Sequence, residues 1–289
     1  MDNVLEITAL RKEYPGFVLK DISFALPRGY IMGLIGPNGA GKTTIIKLIL
    51  NLVVRASGTI RILGLDNLTH GAEIKSRVGF VLDEPAFYGY LSVKSMGSVI
   101  APFYKTWDPE LFRRLCSEFG LPLRKKVGAL SRGMKMKLAL AFALSHGAEF
   151  ILMDEPTSGL DPVFRRELLE RLSGVIQDGR TSVLFSTHIT SDLERVADFI
   201  TCVRDGSLVF STTRDEVREN WALVKGGSEL LTPEARPLLR GIRQSPYGFK
   251  ALTDNQAAAK RLFSEKGAVV EKASLDDIVF FLSRENGHV

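Results

Sequence analysis

A glycine-rich stretch near the N-terminus constrains the fold more than any other feature of the sequence. Residues 36–43 read GPNGAGKT and fit the pattern G-x-x-x-x-G-K-[ST]. An apolar run of strand length, YIMGLIG, precedes the stretch. The run that follows is apolar except at Thr44, Lys47 and Asn51, which recur at helical spacing. The sequence therefore predicts a buried strand, a phosphate-binding loop and a mostly buried helix over residues 43–54.

The residues of this loop have the chemistry that a nucleotide requires. Glycines allow successive backbone N–H groups to turn toward phosphate oxygens, and the N-terminus of the following helix adds a partial positive charge. Lys42 is expected to reach the β and γ phosphates, and the Thr43 hydroxyl to bind Mg²⁺. A chance match in a chain of this length has a probability on the order of a percent, which favours nucleotide binding over a coincidental turn. The other residues assigned to the nucleotide are Gly36, Asn38, Gly39, Gly41 and Thr44.

Two nearly identical acidic stretches compete for the role of the hydrolytic strand. VLDEP begins at Val81 and LMDEP at Leu152. The second is preceded by LSRGM and followed by TSVLFSTH, an apolar strand that ends at His188. These neighbours favour the second stretch, in which Asp154 would hold Mg²⁺ through water and Glu155 would accept a proton from the attacking water. Alternation along a strand predicts that these two carboxylates point in opposite directions.

The composition excludes several other classes of protein. The 289 residues are 45% hydrophobic and 25% charged, so the chain can form one large α/β domain with an appendage or two equal halves. Cys116 and Cys202 do not have the spacing of a disulfide framework or a zinc site. The N-terminus is too charged for a signal peptide, and no apolar run reaches the roughly 18 to 20 residues of a membrane span. A net charge of +5 is modest for this length, so we expect no nucleic-acid partner.

Four motifs occur in one order along the chain: GPNGAGKT, LSRGMKMKL, ILMDEPTSGLD and STH. With them, residues 1 to about 213 resemble the ATP-binding subunit of ABC transporters. The resemblance implies an α/β fold, namely a P-loop NTPase core of the ABC ATPase type with an antiparallel β layer and a helical subdomain. Short alternating runs place the β layer in residues 1–29 and 57–64, and residues 89–147 are helical in character. The sequence has no NKxD motif, which speaks against a GTPase.

The resemblance also implies roles for single residues. Tyr14 would stack on adenine, with an ordinary turn residue as the alternative. Ser131 and the Gly133 backbone N–H would complete the site of a second subunit by facing its γ-phosphate. Asp161 would communicate across the dimer interface, and it also fits a helix N-cap. His188 would contact the γ-phosphate, with a satisfied polar group at a strand end as the alternative.

Two positions depart from the family pattern. Arg132 replaces the usual second glycine of the signature, so a positive φ there would be costly. This LSRGM form resembles ATPases that serve ABC-2-type exporters. Asp83 stands where the family usually has a glutamine, in a loop that senses Mg²⁺ and contacts the membrane partner, and a carboxylate cannot donate an amide hydrogen bond. The first acidic stretch is therefore interpreted as this coupling loop. The aromatic residues Phe87, Tyr88 and Tyr90 follow it, either as a docking surface for a membrane subunit or as core.

The remainder of the chain carries no recognisable chemical motif. VRDGSLVFST reads as a hairpin with an Asp-Gly turn. Residues 214–289 then alternate helix-like and strand-like segments, which predicts a small C-terminal α+β appendage of unknown role. We expect an ABC ATPase domain over residues 1–213 and an accessory domain over residues 214–289.

Together these features predict an ATPase subunit that binds ATP and Mg²⁺ and closes head-to-tail as a homodimer or with a paralogous ATPase subunit. Hydrolysis would drive a separate transmembrane permease, in an exporter, from the cytoplasmic face of a bacterial-type membrane. The alternative is a soluble ABC ATPase of translation or DNA repair, which predicts tandem cassettes or a long coiled-coil insertion. A catalytically silent regulator is disfavoured because Lys42, Asp154, Glu155 and His188 are all present.

Overall fold

The N-terminal layer of the fold is an antiparallel sheet. The computed structural model describes residues 2–82, 87–263 and 266–283. In the order β2-β1-β4-β5, the sheet contains β1 (Asn3–Tyr14), β2 (Phe17–Pro27), β4 (Ser57–Ile62) and β5 (Leu65–Asp66). Ile22, Phe24 and Leu26 of β2 are buried while Ser23 and Ala25 between them are exposed, the alternation of a sheet with one covered face. The predicted β layer is confirmed.

The central sheet has six strands in the order β10-β9-β3-β8-β7-β6. Its strands are β3 (Ile31–Ile35), β6 (Val78–Val81), β7 (Phe150–Asp154), β8 (Ser182–Thr187), β9 (Phe199–Arg204) and β10 (Ser207–Thr213). All neighbouring pairs are parallel except the β9–β10 hairpin, which turns at Asp205 and Gly206 as predicted. The strands β3, β7 and β8 are buried along their whole length, as expected for parallel strands covered on both faces.

Two apolar cores lie on opposite faces of the central sheet. Ile31 and Ile35 of β3 belong to one core and Met32 and Leu34 to the other. The core with Met32 contains the antiparallel layer together with α1 (Lys42–Ile49) and α2 (Gly71–Arg77). The core with Ile31 contains α6 (Pro162–Val175), α7 (Thr190–Val196) and the helical region between β6 and β7.

The helical region carries the LSRGM motif at the start of its longest helix. Its helices are α3 (Val93–Ile100), α4 (Pro109–Glu118) and α5 (Arg132–Ser145), with short 3-10 turns at Ala101–Phe103 and Val127–Ala129. Another 3-10 turn, Ile176–Asp178, follows α6. Within the described ranges, every helix is too short or too polar to cross a lipid bilayer.

The helix after the phosphate-binding loop is shorter than predicted. α1 ends at Ile49 because Asn51 adopts a left-handed φ of 52°, a conformation that asparagine tolerates better than most residues. The Leu52 N–H then bonds to the Lys47 carbonyl oxygen at 2.8 Å and closes the helix end. Asn51, interpreted as part of a polar helical stripe, is instead where the helix stops.

Residues 214–283, here called the C-terminal region, have the α+β character that the sequence predicts. The elements are α8 (Arg214–Asn220), β11 (Ala222–Gly226), β12 (Arg240–Ser245), β13 (Gly248–Thr253), α9 (Gln256–Phe263), β14 (Val269–Lys272) and α10 (Leu275–Leu282), with 3-10 turns at Ser228–Leu230 and Arg236–Leu238. The sheet order is β12-β13-β11-β14 with antiparallel pairs. Trp221, Leu275 and Ile278 share a buried cluster with Leu193 and Ile200 of the preceding part of the chain, so the two parts are packed together.

Candidate nucleotide site

The glycine-rich loop joins the carboxyl end of β3 to the N-terminus of α1. Gly36 has a φ of 155°, and a Cβ at this position would lie 2.1 Å from the Val203 carbonyl oxygen, so a side chain has no room. Gly41, with a φ of 108°, is the N-cap of α1 and supplies no side-chain cap. Free N–H groups at a helix N-terminus form a site for an anion. The loop geometry thus fits the predicted phosphate site.

Lys42 is the buried cation of this loop. Its side chain is 7% exposed, and its Nζ donates to the carbonyl oxygens of Gly36 and Pro37 at 2.8 and 3.3 Å. The same atom lies 3.8 Å from Glu155 Oε1. Burial lowers the pKa of the Lys42 ammonium, while the carboxylates of Glu155 and Asp154 act against that shift. Because the charge is poorly solvated, an approaching phosphate interacts with it more strongly than it would in water.

Asp154 ends β7 and collects two hydroxyl groups. The carboxylate is 5% exposed, and its Oδ1 accepts hydrogen bonds from Ser186 Oγ at 2.6 Å and from Thr43 Oγ1 at 3.3 Å. Mg²⁺ takes oxygen ligands, usually one or two protein groups together with substrate phosphates. The adjacent oxygens of Thr43 and Asp154 therefore fit Mg²⁺. In the part of the chain that the structure describes, no cluster of three or more His, Cys, Asp or Glu side chains could hold a metal ion without such phosphates.

Glu155 lies beyond the end of the strand. Its φ of 48° is left-handed, so Glu155 has left the extended strand and strand alternation does not set the direction of its side chain. A left-handed residue instead turns its carboxylate toward Lys42 and His188. Glu155 Oε2 is 2.7 Å from His188 Nδ1, and the Glu155 backbone N–H donates to Ser186 Oγ at 3.0 Å. A non-glycine residue in this conformation costs about 1–3 kcal/mol, and such strain is concentrated at functional sites.

These groups line one open cavity of about 510 Å³. The lining residues are Phe17, Asn38, Gly39, Ala40, Gly41, Lys42, Thr43, Thr44, Glu155, Ser158 and His188. Gly36 and Asp154 adjoin the cavity through their hydrogen bonds to Lys42 and Thr43. The structure therefore brings the predicted loop residues together with both predicted catalytic residues.

Besides Ala40 inside the predicted loop, three residues at this site were not predicted from the sequence. Ser186 bonds to both acidic residues. In the sequence it interrupts an apolar strand directly before Thr187 and His188, and this polar residue in an apolar run was the signal that could have identified it. Ser158 lies within the second acidic motif. Phe17 is an aromatic residue just after the Pro-Gly turn of β1 and β2.

Tyr14 is not among the residues that line the cavity. It pairs with Phe17 across the β1–β2 turn, and the Lys12 ammonium lies 4.9 Å from the centre of its ring. The ring is 38% exposed. Adenine stacking by Tyr14 therefore stays a prediction.

The remaining predicted residues lie on another part of the surface. Ser131 caps α5 by accepting the Met134 N–H at 3.3 Å, and Asp161 caps α6 by accepting the Phe164 N–H at 2.9 Å. Both are exposed, and neither lines the cavity. A Cβ on Gly133 would lie 3.6 Å from the Leu160 side chain, so the two capped turns are neighbours.

The two departures from the family pattern have different outcomes. Arg132 is the first residue of α5 and has no positive φ. The energetic cost of a positive φ at a residue other than glycine therefore does not arise at this position. Asp83, assigned to the nucleotide through the coupling loop, and Glu84 beside it lie outside the described residues.

Comparison with known proteins agrees with this geometry. A protein-family model described as "ABC transporter" matches residues 19–158, and a model for an AAA domain matches residues 126–191. The chain is 31% identical to the ABC transporter ATP-binding protein YtrB of Bacillus subtilis over 77% of its length and 76% of that protein. It is 32% identical to the bacitracin transport ATP-binding protein BcrA of Enterococcus faecalis over 76% and 72%.

A solved structure entitled "Structure of ATP binding subunit of ABC transporter" superposes with a TM-score of 0.69 at 29% identity, over 75% of this chain and 92% of that one. Fold, motif geometry and relatives agree. The chain belongs to the family of ABC transporter ATP-binding subunits, the ATPases of transporter complexes.

Proposed function

We propose that the chain hydrolyses ATP as one half of a head-to-tail dimer and thereby drives a separate transmembrane permease, in an exporter. The observation that carries the proposal is that the predicted site residues lie on two separate surfaces. Lys42, Glu155 and His188 share one cavity, whereas Ser131 and Asp161 are exposed outside it. A head-to-tail pair would bring the exposed turns of each subunit to the cavity of the other. The second subunit is an identical chain or a paralogous ATPase.

The geometry supports a direct hydrolytic mechanism. Lys42 and the N–H groups of the loop bind the β and γ phosphates and stabilise charge that develops on them. Thr43 and Asp154 would hold Mg²⁺, which when bound would supply further positive charge near the phosphate oxygens. Glu155 accepts a proton from the water that attacks the γ-phosphorus, the bond to the bridging oxygen breaks, and ADP and inorganic phosphate form. His188, 2.7 Å from Glu155, orients that carboxylate and contacts the γ-phosphate.

A second cavity supports the permease part of the proposal. It measures about 170 Å³ and has mainly apolar walls, which include Leu82 and Phe87 on either side of the predicted coupling loop in sequence. Tyr88 and Tyr90 are 56% and 71% exposed next to it. Exposed aromatic residues around an apolar groove are typical of a surface that a partner helix covers. The groove would receive a short helix of the permease at the cytoplasmic face of the membrane.

The transport direction and the domain division belong to the same proposal. The LSRGM form of the signature supports an exporter, and a relative named for bacitracin transport supports an antibiotic or similar compound as the substrate class. We place the boundary of the ATPase domain after Thr213, where α8 begins, with residues 214–289 as an accessory domain.

Replacing Glu155 with glutamine tests the proposal. Turnover should fall about 10²- to 10⁴-fold because the proton acceptor is lost, while ATP affinity is retained. The variant should then accumulate as an ATP-dependent dimer in size-exclusion chromatography with light scattering. Glu84→Gln, the same substitution in the first acidic stretch, is the matched control and should leave turnover close to that of the wild type.

Two results would contradict the proposal. If Glu84→Gln abolishes hydrolysis and Glu155→Gln does not, the assignment of the two acidic stretches is reversed. If Glu155→Gln remains monomeric at saturating ATP, both alone and with the membrane protein that co-purifies with the chain, the head-to-tail dimer is wrong.

A further inference from the structure

The C-terminal region makes a direct polar contact with the segment that carries His188. Thr190, the first residue of α7, donates its hydroxyl to Asp276 Oδ1 of α10 at 2.5 Å. Thr190 is 6% exposed, so its hydroxyl needs a partner, and the carboxylate supplies a short, charge-assisted hydrogen bond. A second bond lies beside it, from the Leu275 backbone N–H to Glu194 Oε1 at 3.2 Å. Two polar contacts therefore join α7 to the start of α10.

The first turn of α7 is held from outside, because its N-cap residue, Ile189, provides no side-chain cap. On one side, Arg165 of α6 donates to Asp192 Oδ1 at 2.6 Å. On the other side, Asp276 holds Thr190. The helix α6 belongs to the ATPase core and α10 to the C-terminal region, so loss of the Asp276 contact removes the side-chain hydrogen bond from α10 to Thr190, while Arg165 of α6 still holds Asp192.

Apolar packing makes the contact between the two helices rigid. Leu193 and Val196 of α7 belong to the same buried cluster as Leu275 and Ile278 of α10. The helix α10 is in turn joined to the C-terminal sheet, where Lys250 Nζ lies 3.5 Å from Asp277 Oδ1. A displacement of the C-terminal sheet would therefore be transmitted to α7 through packed side chains.

His188 lies between two anchored segments. Before it, the buried strand β8 ends at Thr187, and after it Ile189 leads into α7. The His188 side chain is 49% exposed, and Glu155, 2.7 Å away, is its partner in the site. A shift in the first turn of α7 therefore moves the imidazole relative to Glu155. A misplacement of about 1 Å at a catalytic centre can cost roughly a hundredfold in rate.

We propose that Asp276 is a positioning residue for ATP hydrolysis, through which the C-terminal region sets the orientation of His188 opposite Glu155. The inference rests on the proposed role of His188. Its consequence is regulatory: a partner or ligand that displaces α10 changes turnover without entering the nucleotide cavity. The C-terminal region thereby has a means of controlling the ATPase, although none of its described residues lines the nucleotide cavity.

Steady-state ATPase assays of the purified full chain test this inference. Asp276→Ala and Thr190→Val should each lower kcat about two- to thirty-fold, the range for residues that couple distant sites. KM for ATP should change little, because neither residue lines the cavity. The double variant should be no slower than the slower single variant, since both substitutions remove one interaction. Thr190→Ser keeps the hydroxyl and should restore most of kcat.

A matched control separates positioning from a general loosening of α10. Asp277, next to Asp276, completes the capping box of α10 by accepting the Ser274 backbone N–H at 3.2 Å, and it pairs with Lys250. Asp277→Ala should lower the melting temperature and leave kcat close to that of the wild type at temperatures where the chain is folded. An equal loss of kcat in Asp277→Ala and Asp276→Ala would overturn the inference.

The His188→Ala variant distinguishes this inference from the proposed function. If His188→Ala abolishes turnover while Asp276→Ala and Thr190→Val keep the wild-type kcat, the inference is wrong and the proposed role of His188 stands. If His188→Ala itself keeps the wild-type turnover, the proposed role of His188 fails, and the positioning of that residue by Asp276 fails with it.

Discussion

Replacing Ser186 with alanine should disturb the two acidic residues of the site together. Ser186 is fully buried, donates to Asp154 Oδ1 at 2.6 Å and accepts the Glu155 N–H at 3.0 Å. The substitution removes a hydrogen bond to a charged group and leaves a backbone N–H unpaired, at a cost of about 2–4 kcal/mol in unfolding free energy. Because the Asp154 carboxylate and the Glu155 backbone both lose this support, turnover should fall about 10- to 100-fold, as for other groups that orient ligands and bases.

Ser182 provides a matched control at the other end of the same strand. It is also fully buried, and it accepts the Gly29 N–H at 2.8 Å, with no contact to the site. Ser182→Ala should cost about 1–3 kcal/mol in stability and leave turnover unchanged. Denaturant unfolding and ATPase assays well below the melting temperature separate the two effects. Equal loss of turnover in both variants, or full turnover in Ser186→Ala, would refute the role assigned to Ser186.

Two further predictions concern the adenine and a buried imidazole. Tyr14→Ala should raise the Kd for ATP about 5- to 150-fold, the value of base stacking. The Kd for tripolyphosphate should not change, because that ligand has no base. Equal losses of affinity for the two ligands in calorimetric titrations would contradict stacking. His146 stacks on Tyr104 at 3.9 Å, and burial lowers its pKa from 6.5 to about 4. Stability is therefore greatest above about pH 6.5, where the imidazole is neutral. As the pH falls toward 4, the unfolding free energy decreases by up to about 3 kcal/mol, because the unfolded chain binds the proton before the folded chain does. His146→Phe should show a smaller loss of stability than the wild type over this range in denaturant unfolding, and parallel profiles would contradict the assignment.

The features that the sequence predicted well depend on short stretches of chain. The loop at residues 36–43 and the burial of β7 and β8 follow from local composition and periodicity, and the structure confirms the fold. The end of α1 at Ile49 was missed because three apolar residues precede Asn51 and three follow it, and only its left-handed backbone reveals the turn. Periodicity reports which face of a helix is buried and is a weak guide to where the helix ends.

The contacts that tune the site are beyond local patterns. Ser186 bonds to residues 31 and 32 positions away, and Thr190 bonds to Asp276 across 86 positions. Serine is common near the end of a strand and aspartate is common in the first turn of a helix, so neither composition nor spacing identifies Ser186 or Asp276 as a residue with a distant contact. These interactions are specified by the packing of β7 beside β8 and of α7 beside α10, and so they can be identified only after those elements are in place.

The left-handed turn at Glu155 explains how two consecutive carboxylates acquire different chemistry. Glu155 follows the last residue of β7, so strand alternation alone does not place its side chain. The φ of 48° instead directs Glu155 Oε1 to within 3.8 Å of Lys42 Nζ, while Asp154 stays in the strand with hydroxyl partners. Hydroxyl neighbours leave Asp154 able to share its oxygens with a cation, whereas Glu155, 17% exposed beside an imidazole, can exchange a proton with water in the cavity. In the proposed mechanism, the strained residue would thus separate metal binding by Asp154 from proton transfer by Glu155 within one dipeptide.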